Sequence, residues 1–242
     1  MTSEQQLRID LAAAFRLVHE MGMHESVANH LSAAVSADGK EFIMNRRWMH
    51  FANVTASNLQ LLNSDDDSVM ASNEAPDASA WSIHGNIHQA LPEAKVVLHA
   101  HPTYATVLST LKDPRILPID NNTVRFYERI AYDTNFGGIA TSDQEGKRIL
   151  DTLAGKKALM MGNHGITVIG ETVAEAFEDL YYLEKACKTM VLAYSTGQQL
   201  NVLPHGLALE TAQSWDQFSG AALAHFEQLK GHLENQGSSY QH

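Results

Sequence analysis

The stretch Leu91-Pro92-Glu93-Ala94-Lys95-Val96-Val97-Leu98-His99-Ala100-His101-Pro102 decides the architecture of this chain. Its centre, Lys95 to His101, is a short run rich in branched apolar residues, which predicts a strand buried on both faces. Residues two apart on a strand project from the same face, so His99 and His101 can aim both imidazoles at one point. Such a pair is a natural two-ligand unit for a metal, although it can also be two polar residues at a sheet edge.

A third histidine follows a second short apolar run. Ala158 to Met161 and Ile166 to Ile169 predict two strands, joined through a Gly162-Asn163-His164-Gly165 turn whose glycines allow close backbone approach. His164 therefore stands just after a strand, in a place equivalent to that of the first pair. Three neutral imidazoles around Zn²⁺ leave coordination positions open, as catalytic sites do.

Two further histidines, His84 and His88, lie four residues apart on a predicted helix. Residues at this spacing share a helix face, so these two could form another pair of ligands. Packing, or support of ligands elsewhere, is the competing interpretation and the one that we favour.

Hairpins and helices alternate along the rest of the chain. Leu31 to Val35 and Glu41 to Asn45 flank an Asp38-Gly39 step, which predicts an antiparallel hairpin. This pattern predicts an α/β fold: a single-domain layered α/β/α sandwich with a central mixed, largely antiparallel sheet. Further strands are predicted at Leu59 to Leu62, Ser68 to Ala71 and Ile130 to Tyr132, and helices at Ser3 to Gly22, Asp77 to Ala90, Tyr104 to Leu111 and Thr172 to Thr196.

The length of 242 residues is compatible with one domain. We expect that domain to span residues 1–242, with a core of about 7–196. A helical C-terminal segment is predicted over 206–234, followed by a frayed tail over 235–242.

The composition of the chain limits the classes of partner that it can bind. A formal net charge of −11 without a basic run argues against binding to nucleic acid or to an anionic membrane surface. The sequence predicts neither a secretion signal nor a membrane span, and its single cysteine, Cys187, fits a reducing compartment. We therefore expect a cytoplasmic protein that acts on a small molecule, and the thirteen histidines indicate where its chemistry lies.

Several blocks of the sequence carry a family resemblance. Ile83 to His88 and Leu91 to Pro102 resemble the central signature of the class II aldolase and adducin N-terminal family. Gly162 to Gly165 is similar to the start of its second signature. The remaining matching blocks are Thr172 to Phe177 and Tyr182 to Glu184 in that second signature, and Glu25 to Ser32 and Phe42 to Ser57 in the amino-terminal part.

The resemblance implies a mixed sheet between helical layers and assembly as a homo-oligomer, with a tetramer favoured and active sites near subunit interfaces. It also implies that His99, His101 and His164 are the metal ligands. Zn²⁺ is the favoured cation, with Mn²⁺ and Fe²⁺ as alternatives. The aldolases of the family use the cation to polarise a carbonyl and stabilise an enediolate, and some relatives are decarboxylases.

The sequence departs from the sugar-phosphate aldolases at several positions. An acidic residue usually stands four positions before the histidine that matches His84, and here that position is Ala80. The segments that bind substrate phosphate are also altered, with Asn29-His30 in place of Gly-Asn. A sugar phosphate is therefore a less suitable substrate. Glu25 is the candidate replacement acid/base, and an exposed carboxylate without a role is the alternative.

Four residues are candidate substrate-binding groups by their place in the matching blocks: Asn29, His30, Asn45 and Arg46. Arg46 belongs to an adjacent basic pair that could hold a substrate carboxylate, although solubility of the surface explains the pair equally well. The aldolases also borrow a tyrosine from a neighbouring subunit, and Tyr127 is the nearest phenol that could serve as that catalytic group.

These observations predict a divalent-metal-dependent carbon–carbon lyase, aldolase-like or a decarboxylase. Its substrate would be a small hydroxy- or keto-carbonyl compound or a carboxylate, cleaved through a metal-stabilised enolate. Two alternatives remain at this point. One is a non-catalytic binding or scaffold domain like the adducin head, which Ala80 favours. The other is an Fe²⁺-dependent oxygenase that uses the same site.

Overall fold

A seven-stranded sheet runs through the centre of the computed structural model, which describes residues 3–138, 143–218 and 220–242. The strands are β1 (His30–Ala34), β2 (Glu41–Met44), β3 (Gln60–Asn63), β4 (Val96–Ala100), β5 (Ile130–Asp133), β6 (Ala158–Met161) and β7 (Gly165–Gly170). Their order across the sheet is β3-β2-β1-β4-β7-β6-β5. Every neighbouring pair is antiparallel except β5 and β6, which are parallel. The mixed, largely antiparallel sheet predicted from the sequence is confirmed.

Helices cover both faces of this sheet. They are α1 (Ser3–Glu20), α2 (Ala78–Ala90), α3 (Thr103–Ser109), α4 (Asn121–Val124), α5 (Asp143–Leu153), α6 (Val173–Ser195), α7 (His205–Ser214) and α8 (Ala221–Asn235). The larger core cluster joins one face to α1, α3, α6 and α8. A smaller cluster joins the other face to α2 and α5. The layered α/β/α sandwich is therefore also confirmed, and among the described residues no helix combines the length and apolar character that a membrane crossing requires.

The central strand β4 is buried on both faces, as its run of branched residues predicts. Leu98 belongs to the larger core cluster and Val97 to the smaller one, because alternate side chains point to opposite faces. Burial of each such side chain contributes roughly 1.5–3 kcal/mol. His99 pairs in register with His30 on β1 and with Thr167 on β7, so these three residues form one row across the sheet.

One predicted strand is wrong. Residues Asp67–Ala71, which include the segment predicted as extended, form a short 3-10 helix. The Asp66 side chain accepts a hydrogen bond from the backbone N–H of Ser68, and this cap stabilises a helical turn rather than a strand.

The C-terminal tail, predicted to fray, makes specific contacts with the rest of the chain. Tyr240 is fully buried, and its carbonyl accepts a hydrogen bond of 2.8 Å from the backbone N–H of Ala56. The carbonyl of His242 accepts a second one, also of 2.8 Å, from Ser57. The polar composition of the last residues gave no sign of the buried Tyr240 ring or of these two backbone hydrogen bonds. The C-terminal segment before the tail is helical, but a 3-10 turn at Trp215–Phe218 divides it.

Candidate metal centre

The structure brings His99, His101 and His164 together at one edge of the sheet. The potential ligand atoms of the three rings all lie within 4.8 Å of one another. The Nε2 atoms of His99 and His101 are 3.1 Å apart. The three ring centroids are separated by 4.6 to 5.0 Å, with the rings turned edge to face.

The position of His164 depends on the tight turn between β6 and β7. Asn163 adopts a φ of 57°, and the backbone N–H of His164 bonds to the carbonyl of Met161. At Gly165, a Cβ atom would stand 2.6 Å from both the carbonyl oxygen of Ala100 and Cδ2 of His101. Only glycine permits this approach, so the turn residue predicted from the sequence is required by the position of the neighbouring ring.

Burial keeps two of these rings neutral near pH 7. Desolvation lowers the pKa of His99 well below its ordinary value, and the neighbouring imidazoles lower it further. For His164, burial and then the nearby His101 lower the pKa to about 4, against an opposing effect of Glu25. Neutral imidazole is the form that binds metals.

Partners behind the rings fix which nitrogen faces inward. Glu25 Oε2 lies 2.5 Å from His101 Nδ1, and Thr167 Oγ1 lies 3.2 Å from His99 Nδ1. The Thr167 hydroxyl donates to the sulfur of Met161, so it accepts from His99. With the ring proton on Nδ1, the Nε2 atoms of His99 and His101 both carry lone pairs. A hydrogen bond from the outer nitrogen to a carboxylate or hydroxyl is the arrangement usual for histidines that bind metal.

This donor set fits a divalent cation. Two lone pairs that face each other across 3.1 Å repel unless a positive ion lies between them. Tetrahedral Zn²⁺, with Zn–N distances of roughly 2.0–2.1 Å, separates neighbouring ligand atoms by roughly 3.3 Å. His99, His101 and His164 could therefore hold Zn²⁺ and leave part of its coordination sphere open.

A chain of buried hydrogen bonds runs from this centre into the layer between the sheet and α2. His30 Nδ1 lies 2.7 Å from His84 Nε2, and Ser32 Oγ lies 2.5 Å from His84 Nδ1. The same hydroxyl lies 2.7 Å from His88 Nε2, and His88 Nδ1 lies 2.7 Å from the carbonyl oxygen of Ala94. His84 and His88 are thus links in this relay rather than the alternative ligand pair.

The Ala94 carbonyl sets the direction of the whole relay. A carbonyl only accepts, so His88 Nδ1 carries the proton, and Ser32 must donate to His88 Nε2. The hydroxyl then accepts from His84 Nδ1, and His84 Nε2 accepts from His30 Nδ1. Burial is the main cause that lowers the pKa of all three imidazoles, so each is neutral.

The relay ends at His30. Its Nδ1 donates to His84, so its Nε2 carries a lone pair and can only accept. The His30 ring stacks on the ring of His99 with a centroid distance of 4.7 Å. The relay therefore presents a hydrogen-bond acceptor of defined orientation beside the metal ligands.

Two of the other predicted substrate-binding residues, Asn29 and Asn45, lie beside the backbone of His30. Asn29 is 2% exposed, and its Oδ1 accepts a hydrogen bond of 2.6 Å from the backbone N–H of Glu25. Its Nδ2 has no hydrogen-bond partner among the described residues. Asn45 makes long contacts, at 3.4 Å, with the backbone of Asn29, Leu31 and Arg46. Asn29 is thus the one with an unused buried donor.

The remaining predicted site residues have partners elsewhere. Arg46 forms a 2.6 Å ion pair with Glu74, in which both side chains are exposed. The Tyr127 hydroxyl lies 2.8 Å from His205 Nδ1, near the surface. Within one chain, the described contacts therefore do not bring Arg46 or Tyr127 to the three histidines of the candidate metal centre.

Sequence reasoning missed Ser32 and Thr167. Thr167 pairs with His99 itself, whereas Ser32 pairs with Val97, two residues before His99 on the same strand. Hydroxyl residues beside buried histidines are the signal that could have identified them. The pairing of strands was needed to show which hydroxyl meets which ring.

The seven-stranded mixed sheet between helical layers is the fold of class II aldolases. The chain belongs to the class II aldolase and adducin N-terminal domain family, whose model matches residues 9–191. A putative aldolase class 2 protein of Caulobacter vibrioides is 33% identical over 211 residues, which cover 87% of this chain and 80% of that protein.

Solved structures show the same relationship. An aldolase II superfamily protein from Pseudomonas syringae has a TM-score of 0.90 and 28% identity, with 100% of this chain and 97% of that one covered. An L-fuculose 1-phosphate aldolase from Glaciozyma antarctica has a TM-score of 0.80 and 25% identity, with coverage of 98% and 92%. The family resemblance predicted from the sequence is confirmed.

Proposed function

We propose that the protein is a divalent-cation-dependent carbon–carbon lyase. It would cleave an aldol or remove CO₂ from a small hydroxy- or keto-carbonyl compound or carboxylate. The observation that carries this proposal is the convergence of His99, His101 and His164, whose ligand atoms lie within 4.8 Å of one another. Membership in a family that includes aldolases supports it.

Zn²⁺ is the proposed cation, with Mn²⁺ and Fe²⁺ as alternatives. When bound, such a cation supplies Lewis-acid polarisation of a substrate carbonyl and stabilisation of the negative charge that develops on its oxygen. An iron oxygenase is the weaker interpretation, because Glu25 contacts His101 rather than joining the three nitrogens as a carboxylate ligand.

The residues beside the cation would orient the substrate. His30 presents its Nε2 lone pair, which suits a substrate hydroxyl as donor. Asn29 has a buried Nδ2 without a partner among the described residues, which suits a substrate oxygen. Asn45 would support the loop that carries Asn29, through its contact with the Asn29 carbonyl.

Glu25 is the proposed acid/base group. Its carboxylate orients His101 at 2.5 Å, and its side chain is 64% exposed and thus open to solvent and substrate. Ala80 stands fully buried at the position that is usually acidic, so it cannot move a proton. Glu25 is the carboxylate in contact with the metal ligands that can take this role.

Two residues would contribute through other contacts. Arg46 would have to exchange Glu74 for a substrate carboxylate, and both partners of this exposed pair can move at small cost. Tyr127 would act on a neighbouring copy of the chain, because its own contact is with His205.

We propose a homo-oligomer in the cytoplasm, with a tetramer favoured. Several large apolar side chains are exposed on the single chain, as expected for a surface that another subunit covers. The most exposed are Trp48 at 72%, Phe218 at 63%, and Phe136 and Leu223 at 58% each.

Metal analysis followed by turnover tests this proposal. Protein purified without chelator should contain at least one cation, and His99→Ala should lose both the cation at this site and activity on a panel of hydroxy-keto acids and aromatic carboxylates. His232→Ala, which removes an exposed histidine, is the matched control. A wild-type protein without a cation, or one whose turnover survives His99→Ala, would contradict the proposal.

A non-catalytic binding domain is the second candidate, and one observation favours it. The usual acidic position is the buried methyl group of Ala80. A protein that binds the cation through the three histidines and yet turns over none of the panel would support this candidate.

A further inference from the structure

A second group of three imidazoles lies outside the candidate metal centre. His19 is in the last turn of α1, His24 is in the following loop, and His50 precedes a 3-10 turn at Phe51–Asn53. His24 Nε2 lies 3.4 Å from His19 Nδ1 and 3.2 Å from His50 Nε2. We call these three residues the second triad.

The second triad repeats the geometry of the first. Its ring centroids are 4.8 to 5.0 Å apart and its rings are turned by 74 to 88° to one another. In the first triad the centroids are 4.6 to 5.0 Å apart. In both groups the potential ligand atoms lie within 4.8 Å of one another. Packing of the rings alone does not require three ring nitrogens to lie this close together.

Hydrogen bonds among the rings do not fully account for the arrangement. His50 Nδ1 accepts from the backbone N–H of Ala52 at 3.2 Å, so its Nε2 carries the proton in the neutral ring. That proton and a nitrogen of His19 compete for the single lone pair on His24 Nε2. His24 Nδ1 is buried without a hydrogen-bond partner among the described residues.

The surroundings suit a cation. All three rings are partly buried, which leaves room for water to complete a coordination shell. Burial, followed by the two neighbouring imidazoles, lowers the pKa of His24, so this ring is neutral near pH 7. The chain carries a net charge of −11, which favours a cation over an anion.

We propose that His19, His24 and His50 form a second divalent-cation site, suited to Zn²⁺ or another borderline-soft ion that prefers imidazole. Binding through His50 Nε2 requires that its Nδ1 take up the proton and release the Ala52 N–H. The hydrogen bond from Ala52 and the contacts between the ring nitrogens are therefore replaced by three coordination bonds.

A cation bound at the second triad would also stabilise the candidate metal centre. His24 is followed directly by Glu25, whose carboxylate contacts His101. A cation that holds His24 to α1 and to the 3-10 turn would fix the loop that positions Glu25. The binding proposal stands without the lyase function, whereas this stabilising role rests on it.

Zinc stoichiometry tests the inference on the full chain. Protein freed of metal with a chelator is loaded with Zn²⁺, passed over a desalting column and analysed by plasma mass spectrometry. We expect two equivalents per chain in the wild type and in His232→Ala, and one in His24→Ala and in His99→Ala. The double variant His24→Ala/His99→Ala should retain none.

The pattern of losses separates this inference from the proposed function. One equivalent that His99→Ala removes and His24→Ala leaves in place would overturn the second site and support the first. One equivalent with the opposite dependence would support the second site and contradict the lyase proposal. Should His24→Ala fail to fold by circular dichroism, His50→Gln takes its place, because the glutamine amide can still accept from Ala52.

Discussion

Glu25 Oε2 lies 2.5 Å from His101 Nδ1, although the two residues are separated by 76 positions in the sequence. The carboxylate therefore stands behind a proposed metal ligand and fixes its tautomer. Residues in this position raise the basicity of the ligand and hold the ring in place, and their loss typically costs 10- to 100-fold in metal affinity.

Glu25→Gln should weaken Zn²⁺ binding at the first triad by roughly 10- to 100-fold while the fold is retained, because the side chain is largely exposed. Competition against a chromophoric chelator measures the affinity. Glu20→Gln removes a nearby exposed carboxylate and should leave affinity unchanged. Equal affinities for the two variants would show that Glu25 does not act through His101.

The sequence predicted the fold well because its strongest signals are local. The branched run before His99 directly predicts a buried strand, and the Asp38-Gly39 step directly predicts a tight turn. The prediction of a strand at Ser68 to Ala71 failed because the Asp66 cap stabilises a 3-10 helix there. The burial of Tyr240 could not be predicted either, because the residues around it are polar.

The residues of the candidate site also fall into two groups, those that the sequence predicts and those that only the structure reveals. The spacing of His99 and His101, and the turn that carries His164, are visible in the sequence, so these three residues could be proposed from it. The roles of Ser32 and Thr167 depend on strand register and on which ring nitrogen each hydroxyl meets. Pairings between residues more than 50 positions apart are not encoded in any local pattern, so only the folded chain reveals them.

Ser32→Ala should destabilise the protein. The change leaves His84 Nδ1–H and His88 Nε2 buried without their shared partner, and each unsatisfied group costs about 1–3 kcal/mol. Urea denaturation should show a loss of about 2 kcal/mol or more in the free energy of unfolding. Ser57→Ala, at an exposed position, should change it by less than about 0.5 kcal/mol. If the two variants are equally stable, the relay is not continuous.

The buried histidines should make the protein less stable in acid, and His88 allows the effect to be isolated. Burial lowers the pKa of His88 to about 4 from an ordinary value of 6.5. Between these values the unfolded chain binds the proton and the folded chain does not. Stability from this group is therefore complete above pH 6.5 and is lost as the pH falls towards 4, by about 3 kcal/mol in total.

His88→Gln removes this titration and keeps an amide that can bond to Ala94 and Ser32. The free energy of unfolding, measured from pH 7.5 to 4, should fall less steeply for this variant than for the wild type. Parallel curves for the two proteins would mean that the pKa of His88 is the same in the folded and unfolded chains.

Tyr240→Ala tests whether the C-terminal tail contributes to stability. The ring is fully buried, and its residue also accepts the backbone hydrogen bond from Ala56. Loss of a buried aromatic side chain leaves a cavity and costs about 3 kcal/mol or more. Thermal and urea unfolding should both show this loss, whereas Tyr194→Ala, at a partly exposed position, should have a much smaller effect. A tail that frays in solution would instead make Tyr240→Ala as stable as the wild type, and hydrogen exchange at the Ala56 and Ser57 amides would then be fast.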